Sequence, residues 1–321
     1  MSLSDMSYKD TTRSHWQAVP PSHGSEVLMT VFIDADAKGK LVNWHSRFRQ
    51  KIKVSTESIV FSTPLGETHA LLCGPPDGTP LVCLHGAMAS SAHVLLGAPL
   101  LASRLRLIAP DIPGHSPMSA EARPDINGPG YAEWLADVFD TLKLDHASIL
   151  GTSWGGLIAL RAAALIPHRI SKMSLIVPAG IVQGPILESF FKIGWPMMRY
   201  RASPSPERLR RFLRYMITTH DEDWEAYLGE AALGYKLDFK PPRLLKEGEL
   251  NALTAPVQVV AAELDLQSPG RKLIARAKSV IPSLADQILI PQSHHVPPFD
   301  ESFQKWLTNH LETFLLDLRR A

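Results

Sequence analysis

The residue types most able to do chemistry stand in Gly151-Thr152-Ser153-Trp154-Gly155-Gly156. A short apolar run, 147–150, precedes this segment, and a helical pattern, 154–166, follows it. A serine between glycines on a strand-to-helix turn is held in strained backbone with its hydroxyl exposed. Small neighbours let strand and helix approach closely, and the helix N-terminus offers N–H groups to a developing oxyanion. The three fixed letters of G-x-S-x-G arise by chance, so the weight lies in this context. A serine hydroxyl is a poor nucleophile without a base, and the base needs an orienting acid. Asp265 stands just past an apolar run at 256–262, where a carboxylate can point across the top of a sheet, with Glu263 as its local rival. His294 and His295 follow the last apolar run, and either could be the base. His85-Gly86-Ala87 ends another such run, so the amides of Ala87 and Trp154 are the candidate oxyanion donors, with His85 a structural hydrogen-bonding residue.

These residues need a scaffold that brings strand ends together. Strands are expected at 55–62, 67–73, 80–84, 105–110, 147–150, 172–177, 256–262 and 286–290, the first two joined by a turn at 64–66. Helices are expected at 130–143, 154–166, 269–281 and from 301 to 318. Strands apolar throughout that alternate with helices imply a parallel sheet covered on both faces. Residues 180–252 interrupt the alternation with several helices, the clearest opening at Ser205-Pro206, a capping residue followed by proline at the first helical position. A helix is also expected within 25–50, carrying Val27, Leu28, Val31, Phe32, Leu41, Val42 and Trp44, while the first twenty residues are expected to be loosely attached.

Composition limits the function classes. The 321 residues suit one large domain or one domain with an insertion. The formal net charge is +1, so no global charge draws the chain to nucleic acid or to an anionic membrane. The N-terminus lacks the basic start and apolar stretch of a secretory signal, and no apolar run approaches a bilayer span. A soluble, cytoplasmic protein is expected, with neither nucleic acid nor membrane as partner. Cys73 and Cys83 lie in runs that read as neighbouring strands; buried free thiols are the expectation, with a disulfide left open. No histidine accompanies either cysteine at metal-ligand spacing, and no metal is expected. The dense run Arg199, Arg201, Arg208, Arg210, Arg211 and Arg214 reads as a solvated helix face, or as recognition of an acidic substrate or partner.

Over roughly residues 55–318 the chain resembles the α/β-hydrolase family. The resemblance is carried by His85-Gly86, Asp111-Ile-Pro-Gly114-His-Ser, Gly151-Thr-Ser153-Trp-Gly155-Gly156, Glu263-Leu-Asp265 and His295-Val-Pro. Its order of nucleophile, acid and histidine is the family's. The family's Gly-His-x-Pro pattern sets His295 on the catalytic histidine and His294 on the glycine, and Ser116 stands where a second glycine is frequent. The resemblance implies an α/β class with a mostly parallel eight-stranded sheet, no cofactor, and a catalytic triad of Ser153, Asp265 and His295. It also implies an N-terminal extension (1–54), a core (55–179 and 253–321) and a helical cap (180–252), in which Phe190, Phe191, Trp195, Met197 and Met198 either line the pocket or hold the cap together. The expected activity is carboxylesterase-like cleavage of a small-molecule ester. The alternatives are a carbon–carbon bond hydrolase whose diketone-like acid meets the cap arginines, and a non-catalytic ligand receptor. Serine at position 153 argues against the dehalogenases and epoxide hydrolases, which carry aspartate there.

Overall fold

The computed structural model describes residues 30–97, 99–238 and 240–317. The expectations for the first twenty residues, for 25–29 of the first helix and for Leu318 fall outside them. Helix α1 spans Ala35–Gln50 and starts later than expected, because the Asp34 carboxylate accepts from the Ala37 N–H and caps it there. Val31 and Phe32 precede that cap, and Phe32 forms an antiparallel bridge with Tyr235.

The chain then forms β1 (Glu57–Thr63), β2 (Gly66–Cys73) and β3 (Thr79–Leu84). Helix α2 (Ser91–Gly97) and a 3-10 turn (Pro99–Ser103) follow, neither of which the sequence reading anticipated. Next come β4 (Leu105–Pro110), α3 (Gly130–Thr141), β5 (Ala147–Thr152), α4 (Trp154–Leu165) and β6 (Ile170–Ile176). The helical interruption holds α5 (Ile186–Ser189), a π-helical stretch (Phe190–Gly194), α6 (Trp195–Ala202), α7 (Pro206–Leu213) and α8 (Glu222–Gly234). The alternation resumes with β7 (Val257–Ala262), α9 (Gly270–Val280), β8 (Leu284–Ile290) and α10 (Glu301–Leu315). Ser205 caps α7 by accepting from the Arg208 N–H, with proline at the first helical position, as its sequence demands.

The eight strands form one sheet in the order β1-β2-β4-β3-β5-β6-β7-β8, antiparallel at β1/β2 and β2/β4 and parallel elsewhere. Strand β4 lies between β2 and β3, so Cys73 and Cys83 are not on neighbouring strands as expected; both are free and buried. Burial pushes the Cys73 thiol up to about 11 and Cys83 higher still, so both are inert apolar side chains at neutral pH.

Side chains alternate across the pleat and build a core on each face. Val82 and Leu84 of β3 join Trp134, Leu135, Ile158 and Leu273 beneath α3, α4 and α9. Leu81 and Cys83 join Phe48, Leu95 and Leu311 beneath α1, α2 and α10. Residues Tyr200, Phe212, Leu213, Ile217 and Ala232 form a small core within the helical insertion itself. The parallel strands β3, β5, β7 and β8 all end on one edge of the sheet. The crevice outside the carboxyl ends of such strands is where open α/β sheets hold their ligands.

Candidate active site

Ser153 sits between β5 and α4 with φ +51°, a conformation that L-residues rarely adopt. Three backbone bonds hold it there: the Ser153 N–H donates to Ile176 O, and Ser153 O accepts from the Leu157 and Ala179 N–H groups. The flanking glycines are required by space. A Cβ on Gly155 would lie 2.3 Å from Leu84 O, and one on Gly151 2.8 Å from Gly155 O. The strain at Ser153 therefore persists because the packing of α4 against β3 and β5 over-determines it.

The loops after β7 and β8 meet this serine. Ser153 Oγ is 2.9 Å from His295 Nε2, and His295 Nδ1 is 2.7 Å from Asp265 Oδ2. With Nδ1 protonated and donating to the carboxylate, Nε2 is free to accept the serine proton. Asp265 is buried, which alone would raise its pKa, but His295 and the Gln267 and Ser268 N–H groups hold it below the ordinary value. Burial works against a charged His295, yet the Asp265 charge and hydrogen bond outweigh it and raise its pKa above 6.5.

The rival residues point elsewhere. Glu263 accepts from Arg271 Nη2 at 2.6 Å and from the Gln292 N–H at 3.2 Å. The His294 ring donates through Nδ1 to Leu264 O at 3.3 Å and meets Tyr215 edge-on.

The loop after β3 passes against the serine, since a Cβ on Gly86 would lie 3.7 Å from Ser153 Cβ. Ala87 lines the same cavity as Ser153, and Trp154 opens α4, where the first N–H groups lack helical partners. His85 is structural in this geometry: Nδ1 donates to Gly86 O at 2.7 Å and Nε2 accepts from the Ile112 N–H at 2.9 Å. Asp111 anchors the loop's base, accepting from the His69 ring, the Ser91 N–H and the hydroxyls of Ser91 and Ser116. Serine in place of the expected glycine at 116 thus gives that carboxylate one more donor.

A cavity of about 290 Å³ opens beside Ser153, with Met88, Leu96, Phe212, Trp224, Phe299 and Leu307 among its walls. Among the described residues, no Asp, Glu, Lys or Arg lines it. The arginine run is therefore outside the cavity, and so are Phe190, Phe191, Trp195, Met197 and Met198, which had been candidates for its lining. The insertion instead contributes through α7 and α8. Tyr227 of α8 donates its hydroxyl to Met88 O, tying the insertion to the loop that holds Ala87.

Sequence reasoning missed Thr218 and Gln267. Thr218 Oγ1 accepts from the His294 N–H at 2.9 Å and donates to Val296 O at 2.8 Å, clamping the residues on either side of His295. No motif marks a threonine in an irregular segment so far from its partners. The Gln267 N–H donates to Asp265 Oδ1 at 2.7 Å, an Asx-type turn that the Asp-Leu-Gln spacing could have revealed.

Among the described residues, no group of three or more His, Cys, Asp or Glu side chains could hold a metal ion, and no helix is long and apolar enough to cross a membrane.

Comparison with known proteins agrees with this architecture. A family profile for the alpha/beta hydrolase fold matches residues 79–226. An uncharacterized carboxylesterase, nap, of Bacillus subtilis is 25% identical over 252 residues, covering 75% of this chain and 81% of that protein. Carboxylesterase YbfK of the same organism is 25% identical over 252 residues, covering 75% and 82%. The crystal structure of naproxen esterase from Bacillus subtilis superposes with a TM-score of 0.75 at 22% identity, covering 88% of this chain and 99% of that one. From the sheet order and these likenesses together, the chain has the α/β-hydrolase fold and is similar to carboxylesterases.

Proposed function

We propose that the chain hydrolyses uncharged esters with an apolar acyl or alcohol group, through an acyl-enzyme on Ser153. The observation that carries this reading is the continuous relay from Ser153 Oγ to His295 Nε2 and from His295 Nδ1 to Asp265. In the reaction, His295 takes the serine proton as Oγ attacks the ester carbonyl. The amides of Ala87 and Trp154 stabilise the oxyanion, and His295 returns the proton to the departing alcohol. Water, activated by the same histidine, then releases the acid. Asp265 orients the imidazole and stabilises its charged form. The insertion, residues 180–252, acts as a cap that keeps this chemistry in an apolar enclosure.

The cavity's chemistry selects the substrate class. Its walls are overwhelmingly apolar and carry no ionic side chain, so a carboxylate-bearing substrate would shed its hydration without gaining a counter-charge. That argues against the carbon–carbon bond hydrolase reading, whose acid was to meet cap arginines that lie outside the cavity.

A fluorophosphonate probe tests the proposal without a substrate guess. Wild type is expected to label and Ser153→Ala not to label. A panel of neutral aryl and alkyl esters is then expected to turn over, and the same esters carrying a free carboxylate to be poor substrates. Folded wild type that fails to label would leave the ligand-receptor reading standing.

A further inference from the structure

The apolar residues that do not line the cavity are arranged on the outside. The segments α5, the π-helical stretch and α6 run on as one helix, since Ser189, Phe190, Gly194 and Trp195 all keep right-handed helical backbone. Leu187, Phe191, Trp195 and Met198 recur along it at i, i+4, i+8 and i+11, which places them on one side. They are between 37% and 74% exposed, with Ile186 and Phe190 exposed beside them. The helix already has an inward contact, because Tyr200 is buried against Phe212 in the insertion's own core. The outer stripe is therefore a second apolar face with no covering among the described residues.

The same stretch of chain is cationic. Residues 186–216 hold seven Lys or Arg and two Glu, a net of +5 in a chain whose total is +1. The two glutamates are taken up locally, Glu188 by Lys192 and Glu207 by Arg211. Among the described residues, Arg199, Arg210 and Arg214 make no ion pair. Lys192 and Arg214 both lie over the Tyr215 ring, at 5.0 and 5.4 Å from its centroid.

We propose that this face docks on an anionic phospholipid surface. Leu187, Phe191, Trp195 and Met198 enter the boundary between headgroups and acyl chains, and Arg199, Arg210 and Arg214 meet lipid phosphates. An apolar stripe with aromatic residues beside a cationic face is the chemistry of an interfacial helix. A second copy of the chain fits less well, because a two-fold pairing of this patch sets arginine against arginine. Docking needs no membrane-crossing helix, and the whole-chain charge that gave no expectation of a membrane partner averages this patch away. Helix α7 carries Arg210, exposed, and Phe212, on the cavity wall, so the docked face adjoins the cavity.

The test is sedimentation of the full chain, as Ser153→Ala to remove any lipid turnover, with vesicles of phosphatidylcholine alone or mixed equally with phosphatidylglycerol. Binding is expected to the anionic vesicles and not to phosphatidylcholine alone. Added Phe191→Glu, or Arg210→Glu with Arg214→Glu, is expected to lower the partition by roughly tenfold or more. Val60→Glu, at an exposed valine of strand β1, is expected to leave it unchanged. Unaltered thermal unfolding midpoints show that the variants are folded. The proposal is overturned if the full chain binds no vesicle, or if the variants bind like the parent. It is also overturned if the chain sediments alone as a dimer that Phe191→Glu dissolves, which would make a second copy the occupant.

Discussion

At the scale of single residues, the site depends on proton placement. His295 holds its proton to higher pH than a free imidazole: burial opposes this, but the Asp265 charge and hydrogen bond prevail. As the proposed general base, His295 must be unprotonated to work, so activity is expected to rise with pH through that raised pKa. The acidic limb of kcat/KM is therefore expected above 6.5, the ordinary histidine value. In Asp265→Asn the limb moves to lower pH and kcat falls by about 10⁴-fold, because the tautomer and the compensating charge are both lost. A limb that stayed in place would sever Asp265 from the titration of His295. The same raised pKa has a stability consequence of definite sign. Its contribution is fully present below 6.5 and is lost as pH rises through the folded-state value.

At the scale of elements, the turn between β5 and α4 is built by close approach rather than by side-chain contacts. Gly155 lets the first turn of α4 lie on the β3 backbone, and a Cβ there would meet Leu84 O, C and Cβ, all within 2.7 Å. Neither the backbone oxygen nor the strand that holds it can move cheaply. Gly155→Ala is expected to cost about 3 kcal/mol in urea unfolding and to slow fluorophosphonate labelling, since the strained Ser153 rides on that helix. Normal stability with normal labelling would show that α4 tolerates a shift. The loops that bring His295 to Ser153 depend on a different element. The segment after α7 pairs with Val296, and Thr218 clamps His294 and Val296 from the insertion side.

At the scale of the whole molecule, the N-terminal helix supports the cavity from behind. Phe48 of α1 is fully buried, with its ring 4.4 Å from His93, 5.0 Å from Trp224 and 5.6 Å from Tyr227. Those three residues line the cavity. Phe48→Ala is expected to cost about 3–5 kcal/mol by leaving a void. Because the void lies behind the binding wall, KM for an apolar ester should rise while kcat changes little, as steady-state kinetics would show. A matched fall in kcat would mean that α1 also positions the reacting groups.

The amino-acid sequence by itself determined the strands and most of the helices between them, the strained serine turn, and the candidates Ser153, Asp265 and His295. Each is written locally, in apolar runs of strand length, in glycines where backbones must touch, and in chemical residues at strand exits. It left His294 against His295 to a family pattern, and Glu263 as a local rival of Asp265, because one residue's difference in a loop does not fix where a side chain points. Tertiary structure decided what depends on contacts between distant segments. It set β4 between Cys73 and Cys83, and it made Thr218 and Tyr227 the ties between the insertion and the site loops. It also turned the aromatic residues of 190–198 outward. Periodicity shows that a helix has an apolar face, but only the packed neighbours settle whether that face meets a cavity, a core or solvent.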